Sequence, residues 1–213
     1  MQKILLIKSG AAGDIVRTTV LLNALRGKIT WVAESKYVDI LPDDHPALER
    51  VLSIEEAPEK LTQEKFDLTI SLEEDSVSAR LASIVPTQKI VGIFLENDRI
   101  NYTEDSPSWF DMSLVSVKGE HFANDAKWKN KESFQQHLFR MIGLPFQDEP
   151  YCIYRDKRIN AERKLVGIET RSGSRWPNKA WGGYPALFGK LEAAGYTCSP
   201  LSEPKNICEY VDD

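Results

Sequence analysis

The chain has 213 residues and a formal net charge of −5, with an isoelectric point near 5.4. That balance gives no overall positive field, which argues against nucleic acid as a partner, and no apolar run approaches the roughly 20 residues that span a bilayer. The three cysteines, Cys152, Cys198 and Cys208, lie far apart and indicate neither a zinc knuckle nor a disulfide framework, which is typical of a protein of the reducing cytoplasm.

The first predicted elements are an apolar strand at residues 4–7, a small-residue turn at 9–13 and a helix that opens at Asp14. Such a unit leaves backbone N–H groups and the positive helix end facing the crevice beyond the strand, which suits anionic substrates. The spacing matches neither common phosphate motif, because Gly10 and Gly13 are followed by an acid. Asp14 would repel a phosphate placed directly on it, and it fits better as a helix N-cap, as a base near a neutral hydroxyl, or as both.

Strands and helices then alternate along the chain. Gly27 is expected as the left-handed C-terminal cap of the first helix. The patterns predict further strands at 29–33, 50–54, 66–72 and 89–94, with helices at 35–41 and 76–84. This alternation predicts an α/β fold with a parallel, doubly wound sheet.

Residues 95–130 interrupt this rhythm, and we expect a long functional loop or insertion that contributes pocket walls. A helix at 131–142 closed by Gly143 follows, and then a proline-containing stretch. A second Rossmann-like half is predicted from a strand at 164–169, a turn at 172–174, a helix at 184–194 capped by Gly195, and a strand that starts at Tyr196.

The predicted domains are therefore an N-terminal Rossmann-like domain at 1–145, a linker at 146–163, and a second Rossmann-like domain that begins at 164 and runs to 213. Such a domain usually needs about 100–150 residues. The second domain is therefore expected to be incomplete in this chain.

Three blocks of the sequence, 3–26, 66–83 and above all 166–195, resemble glycosyltransferase family 9, typified by the ADP-heptose:lipopolysaccharide heptosyltransferases. The family's S-x-x-x-G-D turn is matched by residues 9–14. Its later small-residue turn with a following Lys-x-Trp is matched by residues 172–174 and 179–181. The family's D-T/S-x-x-x-H block, which helps to hold the nucleotide sugar, has no counterpart before residue 213.

The resemblance implies a GT-B fold of two Rossmann-like domains, with the acceptor bound mainly by the first and the nucleotide sugar mainly by the second. Asp14 would be the general base that takes the proton of the acceptor hydroxyl. The implied acceptor-binding residues are Ser9, Gly10 and Gly13, and those for the nucleotide sugar are Ser172, Gly173, Ser174, Lys179 and Glu203.

Each of these residues also has a simpler interpretation. The 172–174 turn could be structural only. Lys179 could be an ordinary solvated lysine, whereas in the functional interpretation its ammonium neutralises the charge on the leaving phosphate. Glu203 could be a surface acid rather than a ligand of the ribose. Trp176 and Trp181 fit a core role better than a sugar platform. The three histidines, His45, His121 and His137, fit surface or packing roles better than metal ligation, and the sequence offers no D-x-D motif.

The expected function is that of a bacterial, inverting, metal-independent glycosyltransferase without a cofactor, which moves a heptose or related sugar from a nucleotide-sugar donor, with ADP-heptose as the expected donor, to a lipopolysaccharide-type or other saccharide acceptor. A lipid-linked acceptor would bring the cytoplasmic protein into peripheral contact with the inner face of the membrane. The alternative is a non-catalytic nucleotide- or saccharide-binding relative. Asp14 and Lys179 favour the enzyme, whereas the missing C-terminal block favours the alternative.

Overall fold

The structure is a computed structural model that describes residues 1–153, 164–171 and 177–201. The chain divides into two compact units, residues 1–155 and 156–213. Each unit contains α/β structure and is described by itself.

The described residues of the first unit form six strands and seven α-helices. The strands are β1 (Gln2–Ile7), β2 (Gly27–Ala33), β3 (Leu48–Ser53), β4 (Phe66–Ser71), β5 (Thr87–Glu96) and β6 (Arg99–Tyr102). The helices are α1 (Ala12–Thr18), α2 (Leu21–Ala24), α3 (Ala57–Leu61), α4 (Ser76–Ile84), α5 (Pro107–Phe110), α6 (Glu120–Lys129) and α7 (Phe134–Met141), with a 3-10 helix at Ser35–Ile40.

The six strands form one sheet in the order β3-β2-β1-β4-β5-β6, in which only β6 runs antiparallel to its neighbour. The strand order reverses direction at β1 and β4, so these two strands flank the switch point where doubly wound sheets bind ligands. Ile7 pairs with Ser71 in the register of β1 and β4. The segments that follow the two strands therefore begin at the same edge of the sheet.

Both faces of the sheet are covered by apolar side chains, as expected for parallel strands. Alternate residues of β1 enter different cores: Ile4 and Leu6 pack in one cluster, and Leu5 and Ile7 in the other. All four side chains are fully buried. The central strand is thus a rigid support for the turn that follows it.

The structure confirms the predicted strands and the predicted helix at 76–84, and it corrects the role of Gly27. This glycine begins β2 instead of capping a helix. A Cβ at Gly27 would lie 2.5 Å from the backbone oxygen of Gln2. The residue is small because β2 and β1 approach each other closely there.

Residues 95–130 are not an irregular loop. They contain the end of β5, strand β6, and helices α5 and α6. Asn97 and Asp98 both have positive φ values, 50° and 59°, between the paired residues Glu96 and Arg99. A two-residue hairpin with both positions left-handed matches the right-handed twist of the strands that it joins.

The second unit has the predicted order of elements in its described residues. Strand β7 (Leu165–Ile168) pairs in parallel with β8 (Thr197–Pro200), and helix α8 (Tyr184–Ala193) lies between them in sequence. Gly195 has a φ of 80° just after α8, as expected of a helix C-terminus. The predicted turn at 172–174 lies outside the described residues.

Residues 146–153, assigned to a linker from the sequence, belong to the first unit and contact the rest of it. The backbone N–H of Cys152 donates to Thr19 Oγ1 at 2.9 Å, and Asn23 Nδ2 donates to the carbonyl of Pro150 at 2.9 Å. The ring of Phe146 packs edge-on against Phe139. The predicted domain limits themselves stay a prediction.

Candidate functional site

The candidate site starts at the turn between β1 and α1. Helix α1 begins at Ala12, two residues earlier than the sequence indicated, and its N-cap is Ala11, which makes no side-chain capping bond. The backbone N–H of Asp14 donates to the carbonyl of Ala11 at 2.9 Å. Asp14 therefore lies in the first helical turn, and the prediction that it is the N-cap is wrong.

The Asp14 carboxylate is accessible. Its side chain is 44% exposed, and its Oδ1 lies 3.3 Å from Nη1 of Arg17, one turn further along α1. An ion pair this exposed contributes little to stability. The group can therefore accept a hydrogen bond from a hydroxyl of solvent or substrate, which is the contact that a general base requires.

The backbone N–H groups at the start of the turn are occupied by a side chain that the sequence analysis did not identify. Ser9 N–H and Gly10 N–H both donate to Glu73 Oε1 at 2.8 Å. Glu73 lies two residues beyond the end of β4. A carboxylate of the protein therefore already accepts the hydrogen bonds of these two N–H groups, which a unit of this kind could otherwise offer to an anionic substrate.

Lys8 completes this arrangement. Its Nζ lies 2.8 Å from Glu73 Oε1, and the two side chains are only 8% and 16% exposed. On the other side of the turn, Glu34 N–H donates to the carbonyl of Ser9 at 2.9 Å. A Cβ at Gly10 would lie 2.9 Å from Glu34 Oε1, so the turn has little room for a larger residue.

The three predicted acceptor-binding residues differ in accessibility. Ser9 is buried and Gly10 is half-buried, whereas Gly13 is exposed and a Cβ there would meet nothing within 4 Å. Gly13 and the carboxylate of Asp14 are thus accessible, as is Ala11 before them.

A series of stacked side chains connects α1 to the segment that follows β6. The guanidinium of Arg17 lies over the ring of Phe134 at 4.3 Å from its centroid. Phe134 contacts Trp109 edge-on, and Trp109 also packs against His137. Through these contacts α1, α5 and α7 form one packed group beside the candidate base.

Trp109 also lines a pocket of about 320 Å³ in the first unit. The pocket starts at Glu74, at the carboxyl end of β4, and its other walls come from the 95–130 region, as the sequence analysis expected. Those walls consist of Trp109, Met112, Ser113, Leu114, Lys127 and Asn130. An aromatic ring with an ammonium, an amide and a carboxylate is a set of groups suited to polar ligands such as saccharides.

His137 is buried behind this pocket, in agreement with a packing role. Its Nε2 lies 3.0 Å from Oδ1 of Asn130, and its Nδ1 lies 3.6 Å from Glu132 Oε2. Burial lowers the pKa of His137 below its ordinary value, although the Glu132 carboxylate acts in the opposite direction. His121 is exposed and His45 is half-buried, so all three histidines fit surface or packing roles.

In the second unit, only part of the predicted nucleotide-sugar site can be located. Ser172, Gly173, Ser174 and Glu203 lie outside the described residues, as does Trp176. Lys179 is exposed and ends a 3-10 helix at Pro177–Lys179. Trp181 is 56% exposed and packs edge-on against Tyr184, so the core role predicted for it is wrong.

An ion pair that the sequence does not predict lies at the end of β7. Glu169 and Arg171 form a bidentate ion pair, in which Arg171 Nε and Nη2 donate to the two carboxylate oxygens at 2.9 and 2.8 Å. Hydrogen bonds from Arg171 lower the pKa of Glu169 to about 2. Arg171 Nη2 also donates to the carbonyl of Leu201 at 2.9 Å, which ties the ends of β7 and β8 together.

Within residues 1–153, 164–171 and 177–201, no group of three or more His, Cys, Asp or Glu side chains is arranged to hold a metal ion. No helix in this part of the chain has the length and apolar character needed to cross a membrane.

The comparison with known proteins finds a similar structure but no match to a family model or to a curated protein. The crystal structure of a glycosyl transferase family 9 protein from Veillonella parvula DSM 2008 is similar to this chain, with a TM-score of 0.65 and 17% sequence identity. The likeness covers 98% of this chain and 64% of that chain, so this chain spans less than two thirds of the other protein's length. The expected GT-B class is thereby confirmed, and the chain has the fold of a family 9 glycosyl transferase.

Proposed function

We propose that this protein is an inverting, metal-independent glycosyltransferase that transfers a heptose or related sugar from a nucleotide-sugar donor to a saccharide acceptor. The observation that carries the proposal is the accessible Asp14 carboxylate in the first turn of α1, beyond the carboxyl end of the central strand. Ligands of doubly wound folds bind at this edge. The fold shared with a family 9 glycosyl transferase supports the same assignment.

The proposed reaction is a direct displacement. Asp14 accepts the proton of an acceptor hydroxyl while the hydroxyl oxygen forms a bond to the anomeric carbon of the donor sugar. The bond from that carbon to the nucleotide breaks on the opposite face, its electron pair goes to the leaving phosphate oxygen, and the configuration inverts. A single carboxylate suffices for this step, unlike the pair that glycoside hydrolases use.

The remaining roles follow the resemblance of the sequence. Ser172, Gly173 and Ser174 would hold the diphosphate, Lys179 would neutralise its growing charge, and Glu203 would bind the ribose. The N–H groups of Ser9 and Gly10 already donate to Glu73. The saccharide acceptor would therefore contact the exposed Gly13 and Asp14.

The proposed donor is ADP-heptose, the proposed acceptor a lipopolysaccharide-type saccharide, and the proposed location the bacterial cytoplasm, where a lipid-linked acceptor would bring peripheral contact with the membrane. These assignments rest on the resemblance alone. ADP-heptose and lipopolysaccharide-type saccharides are therefore the first substrates to assay.

The test incubates the purified protein in a full-length form, with a complete second domain, with a panel of nucleotide sugars that includes ADP-heptose, together with lipopolysaccharide-type saccharides. We expect release of nucleoside diphosphate that depends on the acceptor, and a product whose anomeric configuration, read by NMR, is inverted. Retention of configuration would contradict the mechanism. Absence of both release and calorimetric binding of any nucleotide sugar would overturn the proposal, and binding without turnover would favour the non-catalytic alternative.

A further inference from the structure

Glu73, in the loop after β4, is the acceptor for three donors at the start of the β1–α1 turn. One oxygen, Oε1, accepts from the N–H of Ser9, from the N–H of Gly10 and from the ammonium of Lys8, each at 2.8 Å. Lys8 is buried, and Glu73 is nearly so. A buried ammonium and two partly buried N–H groups are costly to leave without acceptors. The Glu73 carboxylate therefore stabilises all three.

The turn that Glu73 holds leads directly into the helix of the candidate base. Ser9 is held from two sides, because its N–H donates to Glu73 and its carbonyl accepts from Glu34 N–H at 2.9 Å. Only Gly10 and Ala11 separate it from α1. The first helical bonds, from Asp14 N–H and Ile15 N–H, then go to the carbonyl of Ala11 at 2.9 and 3.0 Å.

The far part of α1 is fixed differently. Ile15 and Thr18 are buried, and Arg17 lies over the ring of Phe134. These contacts fix the packing of the helix body, whereas the Glu73 bonds fix the backbone from which its first turn starts. Asp14 lies between the two attachments.

We propose that Glu73 is a positioning residue that fixes the backbone before α1 and so sets the place of the Asp14 carboxylate relative to the acceptor. The inference rests on the proposed function for the role of Asp14. Glu73 also fills the N–H pair that an anion would otherwise use, which leaves the turn to a neutral hydroxyl. A base displaced by about 1 Å can lose on the order of 10²-fold in rate, so a positioning residue of this kind has a measurable effect.

The first test does not depend on activity. Hydrogen exchange of individual amides is measured by NMR in the unsubstituted protein and in Glu73→Ala. We expect exchange at Ser9 and Gly10 to become about tenfold faster or more, because their acceptor is lost. The N–H groups of Lys8 and Leu72, which donate to the carbonyls of Val32 and Ile7, are internal controls and should stay protected. Unchanged exchange at Ser9 and Gly10 would overturn the inference.

The second test separates positioning from binding. In Glu73→Ala we expect kcat to fall roughly 10- to 100-fold while KM for the donor changes less than about twofold. Glu64→Ala is the matched control, because Glu64 is also a partly buried carboxylate in an ion pair, with Arg50 at 2.6 Å, but it precedes β4. Its kcat should be unchanged.

A third variant guards against simple unfolding, since Glu73→Ala leaves Lys8 buried without its carboxylate. The double variant Lys8→Met with Glu73→Gln keeps an oxygen acceptor for the two N–H groups and removes both charges. It should keep the exchange protection of Ser9 and Gly10 and most of kcat. Loss of protection there, or an undiminished kcat in a folded Glu73→Ala protein, would refute the positioning role. An inactive unsubstituted protein in its full-length form would instead refute the proposed function, and the exchange data would still decide whether Glu73 fixes the turn.

Discussion

Replacing Asp14 with Asn tests the proposed base while disturbing little else. Removing a general base usually costs about 10²–10⁴ in rate, or about 2.7–5.4 kcal/mol of transition-state stabilisation. The structural cost is much smaller, because Asp14 does not cap the helix and its ion pair with Arg17 is more than 40% exposed at both ends. Such a pair is worth no more than about 1 kcal/mol, which corresponds to a fall in Tm of about 2–4 °C.

The assay is acceptor-dependent release of nucleoside diphosphate at saturating donor, with Tm and donor affinity measured on the same preparations. Asp125→Asn is the control, because Asp125 is 50% exposed and also pairs with a cation on its own helix, Lys129 at 2.7 Å. We expect normal turnover in the control and at least about a hundredfold loss in Asp14→Asn, with similar Tm values. Turnover above about a tenth of the unsubstituted rate in Asp14→Asn would refute the base assignment.

Lys179→Ala should reduce kcat more than it reduces donor affinity, since its proposed target is charge that develops in the transition state. In the same assay EDTA should leave the rate unchanged, and restoration of a chelated enzyme by Mg²⁺ or Mn²⁺ would contradict the role of Lys179. The free energy of unfolding should fall as the pH drops below about 6.5. Burial lowers the pKa of His137 in the folded protein, so the unfolded chain takes up the proton first. Denaturant titrations from pH 7.5 to 5 should show a smaller fall in His137→Gln, and an equal fall would refute this. Gly92→Ala should lower the free energy of unfolding by more than the roughly 1–3 kcal/mol expected from backbone strain alone. Gly92 has a φ of 101°, and a Cβ there would also overlap the backbone oxygen of Ser71. Gly143→Ala, with a φ of 73° and open space around the Cβ, should cost less in the same titrations, and equal losses would contradict the steric argument.

The sheet could be predicted because its signals are local. Short apolar runs separated by helical patterns specify parallel strands, and the fully buried residues of β1 form such a run. The position of the candidate base after β1 follows from the same pattern. The N-cap assignment failed because Asp14 has the residue type of a cap, whereas the helix begins earlier, after Ala11.

The remaining features depend on contacts between distant parts of the chain. Glu73 and Ser9 are 64 residues apart, and only the placement of β4 beside β1 brings them together. The role of Gly27 is likewise set by its neighbour strand. The hairpin at Asn97 and Asp98 is different, because two turn-forming residues between β-rich segments are a local signal that the sequence analysis could have used.

The contacts of residues 146–153 decide where the first unit could be separated from the rest of the chain. A cut after residue 145 would remove the N–H group that donates to Thr19, the carbonyl that accepts from Asn23, and the ring that packs on Phe139. Thr19 and Asn23 belong to the stretch that continues from the helix of Asp14. A protein engineer who wants the first unit alone should therefore end it no earlier than Cys152, because a shorter piece would lose contacts with the residues that follow the helix of Asp14.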